Sequence, residues 1–197
     1  MIDAVNGQTG WAPASTYIPA VYAFTDASAD PWFAPAGLVR GALGSVVRAE
    51  RKLTSGNRDT LYEANVNPIA TFPGSGVVVF GQKTLQKRAS ALDRVNVRRL
   101  LIALKSYIVQ VSDNLVFEQN SISTRNNFLA QVTPSVEVSP ERQWLYEFKV
   151  VMDATNNTPD VIDRNELVGQ IYLQPTKTAE FIILDFNVLP TGATFPS

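Results

Sequence analysis

Across residues 93–117, apolar side chains at Val97, Leu100, Leu101, Leu104, Ile108 and Val111 recur at steps of three and four, the spacing that gathers them on one buried face of an α-helix. At ~100° per residue, Arg94, Arg98 and Lys105 line up as a narrow stripe at the edge of that face, with Ile102 and Val109 just beyond it. A purely solvated face would not mix positive charge with Ile and Val. The pattern therefore predicts a helix with two sides, one packed into its own domain and one basic and apolar side that meets something else. Two starts fit. Ser90 with Asp93 has capping-box spacing, and Asn96 can cap a helix that begins at Val97. Asn96 is favoured, because Arg94 and Val95 then continue an extended approach, and Arg94 leaves the stripe.

The rest of the chain gives shorter signals. Residues 1–35 hold four prolines and the aromatics Trp11, Tyr17, Tyr22, Phe24, Trp32 and Phe33; prolines at that density argue against a long helix. The expectation is extended chain laid over a surface, with a helical turn near residues 19–24. Loose alternation predicts a short strand within residues 38–48. Ser55, Gly56, Asn57 and Asp59 mark a helix start, followed by Leu61, Tyr62 and Ala64 and ended at Asn67-Pro68. Residues 72–76 form a turn, and residues 77–80 a β-branched strand buried on both faces. Ser121 or Ser123 opens a second helix through Phe128, Leu129 and Val132, closed by Pro134. Strands are expected at residues 145–152, 167–174 and 181–189, with Pro175 and Pro190 as stops. The predicted class is α+β: a mixed, largely antiparallel sheet with helices packed on one side, plus extended terminal arms. The domain division expected is a lead-in at residues 1–30, a core domain at 31–189 and a C-terminal arm at 190–197.

Composition narrows the function more than the fold. Hydrophobic residues at 45% and charged residues at 18% of 197 positions describe a folded chain of one domain, or one domain plus an arm. With 17 basic and 18 acidic side chains the net charge is −1, so no overall field draws the chain to nucleic acid or anionic membrane. The absence of cysteine excludes disulfides and thiolate chemistry, and the absence of histidine removes the commonest general base and metal ligand. No signal peptide is apparent in residues 1–8, and no apolar run approaches the roughly 18 residues of a membrane helix. The expectation is a chain of cytosolic origin, non-catalytic and without cofactor.

Three features invite chemistry. The glycine-rich run Gly74-Ser75-Gly76 through Gly81 precedes a strand, whereas a phosphate loop follows one and carries Gly-Lys-Ser/Thr; it reads as a turn. Asp153, Asp160, Asp163 and Glu166 suggest a cation loop or the carboxylates of an enzyme or small-ligand domain. The loop lacks the glycine of a calcium site, and its Asn and Asp side chains suit a turn held by side-chain bonds to the main chain. Arg94, Arg98, Arg99 and Lys105 are either partner-facing or paired with local acids such as Asp93, Glu118 or Asp163. A nucleic-acid surface is disfavoured, since aromatics are not interleaved with the basic residues.

The order of short motifs resembles the conserved C-terminal half of contractile bacteriophage tail sheath proteins, a family related to pyocin and type VI secretion sheaths. Residues 31–37 (Pro-Trp-Phe-Ala-Pro-Ala-Gly) are similar to its "W-x-A-P-A" segment, Asn65-Val66-Asn67-Pro68-Ile69 to "N-x-N-x-I", and residues 76–85 to "G-x-x-V-W/F-G-x-R/K-T-L". Asn96-Val97-Arg98-Arg99-Leu100 resembles "N-V-R-R-L", Phe117-Glu118-Gln119-Asn120 "F-E-P-N", Asn157-Thr158-Pro159 "N-T-P", and Ala179-Glu180-Phe181-Ile182 "P-A-E-F-I". Gln119, Thr178 and Lys83 depart from the usual residues, which bears on single side-chain contacts rather than on the fold. The resemblance implies a subunit that stacks in six-fold rings around an inner tail tube, then rearranges into a shorter, wider sheath that drives the tube through the host envelope. It implies a virion protein of the tail, made in the host bacterial cytoplasm, with itself and the tube protein as partners and neither nucleic acid nor membrane bound directly. By the same resemblance Arg98, Arg99, Lys105 and Arg94 would face the tube or a neighbouring subunit. Phe181, Ile183, Asp185, Asn187, Leu189 and Phe195 would take part in strand exchange between subunits. Sheath proteins of this kind are longer, so the chain is expected to be a piece of one.

Overall fold

The helix anticipated from the apolar repeat is present as α4 (Val95–Asp113), and it buries Val97, Leu100, Leu104 and Val111. A computed structural model describes residues 9–136, 144–180 and 182 of the chain. Leu100, Leu104 and Val111 pack with Phe128 and Val132 of α5 (Ile122–Val136), and with Trp144, Leu145 and Met152. Trp32 joins this core by stacking on Trp144, with ring centroids 4.8 Å apart.

The start of α4 differs from the expectation. Arg94, not Asn96, holds the cap position with an extended backbone and no side-chain cap, and Asn96 lies buried in the first turn. The reason is a cap from elsewhere: the Val95 N–H donates to the Gln82 main-chain oxygen at 2.8 Å and the Asn96 N–H to Gln82 Oε1 at 3.4 Å. Gln82 thus satisfies donors that a local Asn or Ser ordinarily serves. Ser90 does cap, but for the short 3₁₀ turn Ala91–Asp93, accepting from the Leu92 N–H.

A second core forms around Val21, Leu43, Val77 and Val79. The strands β1 (Ile69–Phe72) and β2 (Gly76–Val79) make an antiparallel hairpin with Ile69 opposite Val79. Gly74 and Gly76 supply the positive φ angles of its turn, 79° and 70°. Of the run 77–80 expected to be buried on both faces, Val77, Val78 and Val79 are buried, whereas Phe80 lies past the strand and is exposed. The partner strand β1 was not anticipated, because four residues between a proline and a turn carry too little pattern. The extended lead-in is corrected to a helix, α1 (Ile18–Ser28), which buries Val21 in this core. Pro19 sits in the first turn, where its missing N–H costs no helix bond.

The strand expected within residues 38–48 is instead a short helix, α2 (Gly37–Arg40), followed by a single bridge from Ala42 to Val78. The Val79 N–H donates to the Gly41 oxygen and the Leu43 N–H to the Val77 oxygen, both at 2.8 Å. Gly41 is required there, since a Cβ would overlap the Val79 carbonyl. Helix α3 (Ser55–Glu63) forms as expected, capped by a reciprocal Thr54–Asn57 box. Helix α5 starts after Ser121, whose hydroxyl accepts from the Thr124 N–H. Pro134 lies inside α5 rather than closing it, because a missing donor in the last turn removes only one bond.

The strands β3 (Leu145–Val151) and β4 (Gln170–Pro175) form a second antiparallel hairpin, separated by α6 (Pro159–Asp163). Among the described residues the strands make two separate two-stranded sheets rather than one larger sheet. The α+β class holds. Of the expected strand at residues 181–189 only Ile182 lies among the described residues; the rest lies outside them.

Candidate functional site

Four basic side chains near the start of α4 meet different fates. Arg98 and Lys105 are exposed, and the line they form is continued by Ile102 and Val109, 62% and 48% exposed. Positions 98, 102, 105 and 109 follow helical spacing, so charge and apolar surface alternate along one open stripe. No ion pair of Arg98 or Lys105 occurs among the described residues.

Arg94 and Arg99 are engaged within the chain. Arg94 makes a two-pronged pair with Glu180, its Nε and Nη2 donating at 2.6 and 2.9 Å, and contacts Asp93 at 3.0 Å. The Glu180 hydrogen bond holds the Arg94 guanidinium more firmly ionised. Burial first, then a hydrogen bond with Glu180, pushes the Tyr62 phenol well above its ordinary range. Gln82 Nε2 donates to the Thr178 hydroxyl at 2.7 Å, so residues 178 and 180 are both clamped to the approach to α4. Arg99 reaches Asp26 on α1 at 2.5 and 2.7 Å and lies 4.8 Å from the Tyr22 ring centre. The neighbouring Asn96 donates to the Trp32 carbonyl at 3.3 Å.

Two asparagines in the recognised motifs do a job that sequence reasoning missed. Asn67 accepts from the Lys83 N–H at 2.7 Å and donates to the Lys83 carbonyl at 2.8 Å. Asn157 does the same to Val168, both bonds at 2.9 Å. Each amide copies the pairing of a β-strand onto one residue of a distant loop. The available signal was an Asn just before a proline, at Asn67-Pro68, and one residue earlier still at Asn157-Thr158-Pro159. Lys83 also donates to the Tyr62 carbonyl at 2.6 Å and lies 4.0 Å from that ring centre.

The carboxylates proposed as a ligand or enzyme site are spread over separate tasks. Asp153 accepts from the Thr155 hydroxyl at 2.5 Å and the Thr155 N–H at 2.8 Å, which lowers its pKa. Asp160 and Asp163 belong to α6, and Glu166 pairs with Arg164 at 2.9 Å. Among the described residues no three acidic side chains converge on a metal-sized site, and no helix is long and apolar enough to cross a membrane. The strand-exchange set Phe181, Ile183, Asp185, Asn187, Leu189 and Phe195 lies outside the described residues. What the structure does describe is β3 and β4, each with an edge unpaired by any other described strand.

Comparison with known proteins assigns this architecture. Residues 88–189 match the family described as phage tail sheath C-terminal domain. The chain belongs to that sheath family. It is 39% identical over 193 residues to the tail sheath protein of Vibrio phage KVP40 and 37% identical to that of Enterobacteria phage T4. Each match covers 98% of this chain but 29% of the relative, so the chain spans under a third of those sheath proteins. Among solved structures, the sheath complex of an extracellular contractile injection system (PVC) in its contracted state superposes with a TM-score of 0.81. That sheath is 26% identical over 91% of this chain and 53% of its own. The motifs at 65–69, 96–100 and 157–159 of this sheath domain coincide with the Asn67 clamp, the Gln82-capped helix start and the Asn157 clamp.

Proposed function

We propose that this chain is the C-terminal part of a contractile tail sheath subunit, a structural rather than catalytic component of the tail. It polymerises with copies of itself in stacked six-fold rings around an inner tube and rearranges on contraction. It is made in the host cytoplasm and incorporated into the virion. One observation carries the contact surface: Arg98, Ile102, Lys105 and Val109 form an open stripe on a helix whose opposite face is core. An exposed cationic grip suits a contact that must hold in the extended sheath and release on contraction, since such contacts are individually weak and salt-sensitive. Arg94 and Arg99 support this surface from behind, through Glu180 and Asp26.

The strand-exchange reading joins residues 181–189 and Phe195 to sheets of neighbouring copies, with the β3–β4 hairpin as the natural acceptor. A two-stranded sheet is marginal alone and gains from a third strand.

The test is charge reversal. Arg98→Glu with Lys105→Glu is expected to lower the yield of extended sheath, seen by negative-stain microscopy, while circular dichroism stays unchanged. An unaltered yield overturns the contact. Deleting residues 190–197 is expected to stop polymerisation and leave a folded monomer; normal sheath growth overturns the strand exchange.

A further inference from the structure

Residues 176–180 leave β4 and cross from the core around Trp144 to the half that holds α3 and β2. The Thr176 N–H donates to the Trp144 carbonyl at 3.1 Å, and the Thr178 hydroxyl accepts from Gln82 Nε2 at 2.7 Å. Glu180 is held by Arg94 from the start of α4 and by the phenol of Tyr62 from α3. None of the five residues is buried, and the one small apolar side chain, Ala179, is exposed. The segment borders two cavities, of about 490 and 400 Å³. It is attached by polar contacts alone, the makeup of a segment that opens at a lower free energy than the whole domain.

Gln82 ties this segment to the helix. It is 4% exposed, and its side-chain amide is shared: Nε2 serves Thr178 while Oε1 accepts from the Asn96 N–H at 3.4 Å. Its main-chain oxygen accepts from the Val95 N–H at 2.8 Å. Both ends of a planar amide turn together, so the Thr178 bond fixes the orientation that aims Oε1 at the helix start.

We propose that residues 176–180 form a strap that opens locally, and that Gln82 passes its opening to the first turn of α4. Loss of the Thr178 bond frees the Gln82 amide to turn away from Asn96. Release of Glu180 takes the two-pronged partner from Arg94, which holds the cap position. Arg98 lies in that first turn, so the strap is coupled to the open basic stripe. Such coupling is reciprocal, and loosening the helix start also loosens the strap. The proposal rests on the sheath reading only for what loads the strap, the chain beyond residue 180.

Amide hydrogen exchange of the purified chain, resolved by residue with NMR, tests this. Thr178→Val removes the acceptor at nearly constant volume, and Glu180→Gln removes the charge. Each is expected to speed exchange at Val95 and Asn96 about fivefold relative to Leu104, as loss of one hydrogen bond would. Leu104, in the core of the same helix, reports opening of the whole domain, so the ratio stays informative if a variant is less stable. Gln82→Leu is expected to speed exchange at Thr176 by a similar ratio. Glu166→Gln, which breaks the exposed pair with Arg164, is expected to leave every ratio unchanged. Unchanged ratios at Val95 and Asn96 in both strap variants overturn the proposal. So does an equal rise at Leu104, which marks a loss of general stability, or the same rise in Glu166→Gln. The measurement needs no tubes: their absence counts against the sheath reading, and the exchange ratios alone decide the strap.

Discussion

Replacing Asn157 by Ala removes a side chain that is 3% exposed and bonded to three main-chain groups: the Asp153 carbonyl at 3.1 Å and both polar groups of Val168 at 2.9 Å. Each bond contributes about 1 kcal/mol net, and a buried main-chain group left without a partner costs about 1–3 kcal/mol. Asp153 is exposed, so water replaces part of the loss there. Val168 is half-buried, and its N–H and C=O stay closer to the full penalty. The expected loss is about 3 kcal/mol, large against the 5–15 kcal/mol of a typical domain.

Urea unfolding of the purified chain, followed by tryptophan fluorescence, measures it. Trp32 and Trp144 stack in the core to which α5 and the β3–β4 hairpin contribute, so their emission reports the whole cluster. The reasoning requires a lower midpoint at unchanged slope. Asn157→Asp sharpens the test: it keeps an acceptor for the Val168 N–H, loses the three bonds donated to the Asp153 and Val168 carbonyls and to Asn156 Oδ1, and buries a carboxylate near Asp153. Its defect should therefore lessen as pH falls below the carboxylate range, where the acid form regains a donor. A loss under about 1 kcal/mol for Asn157→Ala, within reach of an ordinary surface substitution, refutes the clamp.

Other substitutions probe separate joints. Gly41→Ala drives a Cβ into the Val79 carbonyl and should cost about 1–3 kcal/mol in the same urea assay. Burial and the Glu180 hydrogen bond raise the Tyr62 phenol pKa above its ordinary 10.0. Above pH 10 the unfolded chain therefore binds fewer protons than the folded one at this site, and stability falls as pH rises. This contribution is intact below pH 10 and lost through the alkaline limb, so Tyr62→Phe should flatten that limb in pH-dependent Tm measurements. A double-mutant cycle on Arg99→Ala and Asp26→Asn should show coupling of about 0–1 kcal/mol that shrinks in high salt, because Asp26 is 44% exposed.

What the sequence disclosed follows the range of the forces involved. The apolar period of α4, the β-branched run of β2 and the Asn/Asp turn at residues 153–157 are local, and each formed as read. The failures share a non-local cause. Alternation in residues 38–48 suggested a strand, but Gly41 and Ala42 meet β2 at one bridge only, after a turn of helix. The four prolines of residues 1–35 argue against a long helix and leave room for a turn near residues 19–24, yet only Pro19 lies within residues 18–28, and with it confined to the first turn the apolar cluster around Val21 extends that turn to 11 residues. The start of α4 was misplaced because its cap is Gln82, 14 residues upstream of the amide it serves.

The same distance rule separates the basic residues of α4. Periodicity already singles out Arg98 and Lys105 as the stripe, with Arg94 leaving it and Arg99 beside it, but it names no partner for the other two. Those partners are distant: Asp26 is 73 residues from Arg99, and Glu180 is 86 from Arg94. The helix therefore has three sides rather than two. Leu100, Leu104 and Val111 face the core; Arg94, Asn96 and Arg99 tie its first turns to residues 180, 32 and 26; and Arg98, Ile102, Lys105 and Val109 stay open. The middle set fixes the helix end against three distant segments. The open set thereby stands on a rigid base, and charge reversal at Arg98 and Lys105 tests the surface without loosening its support.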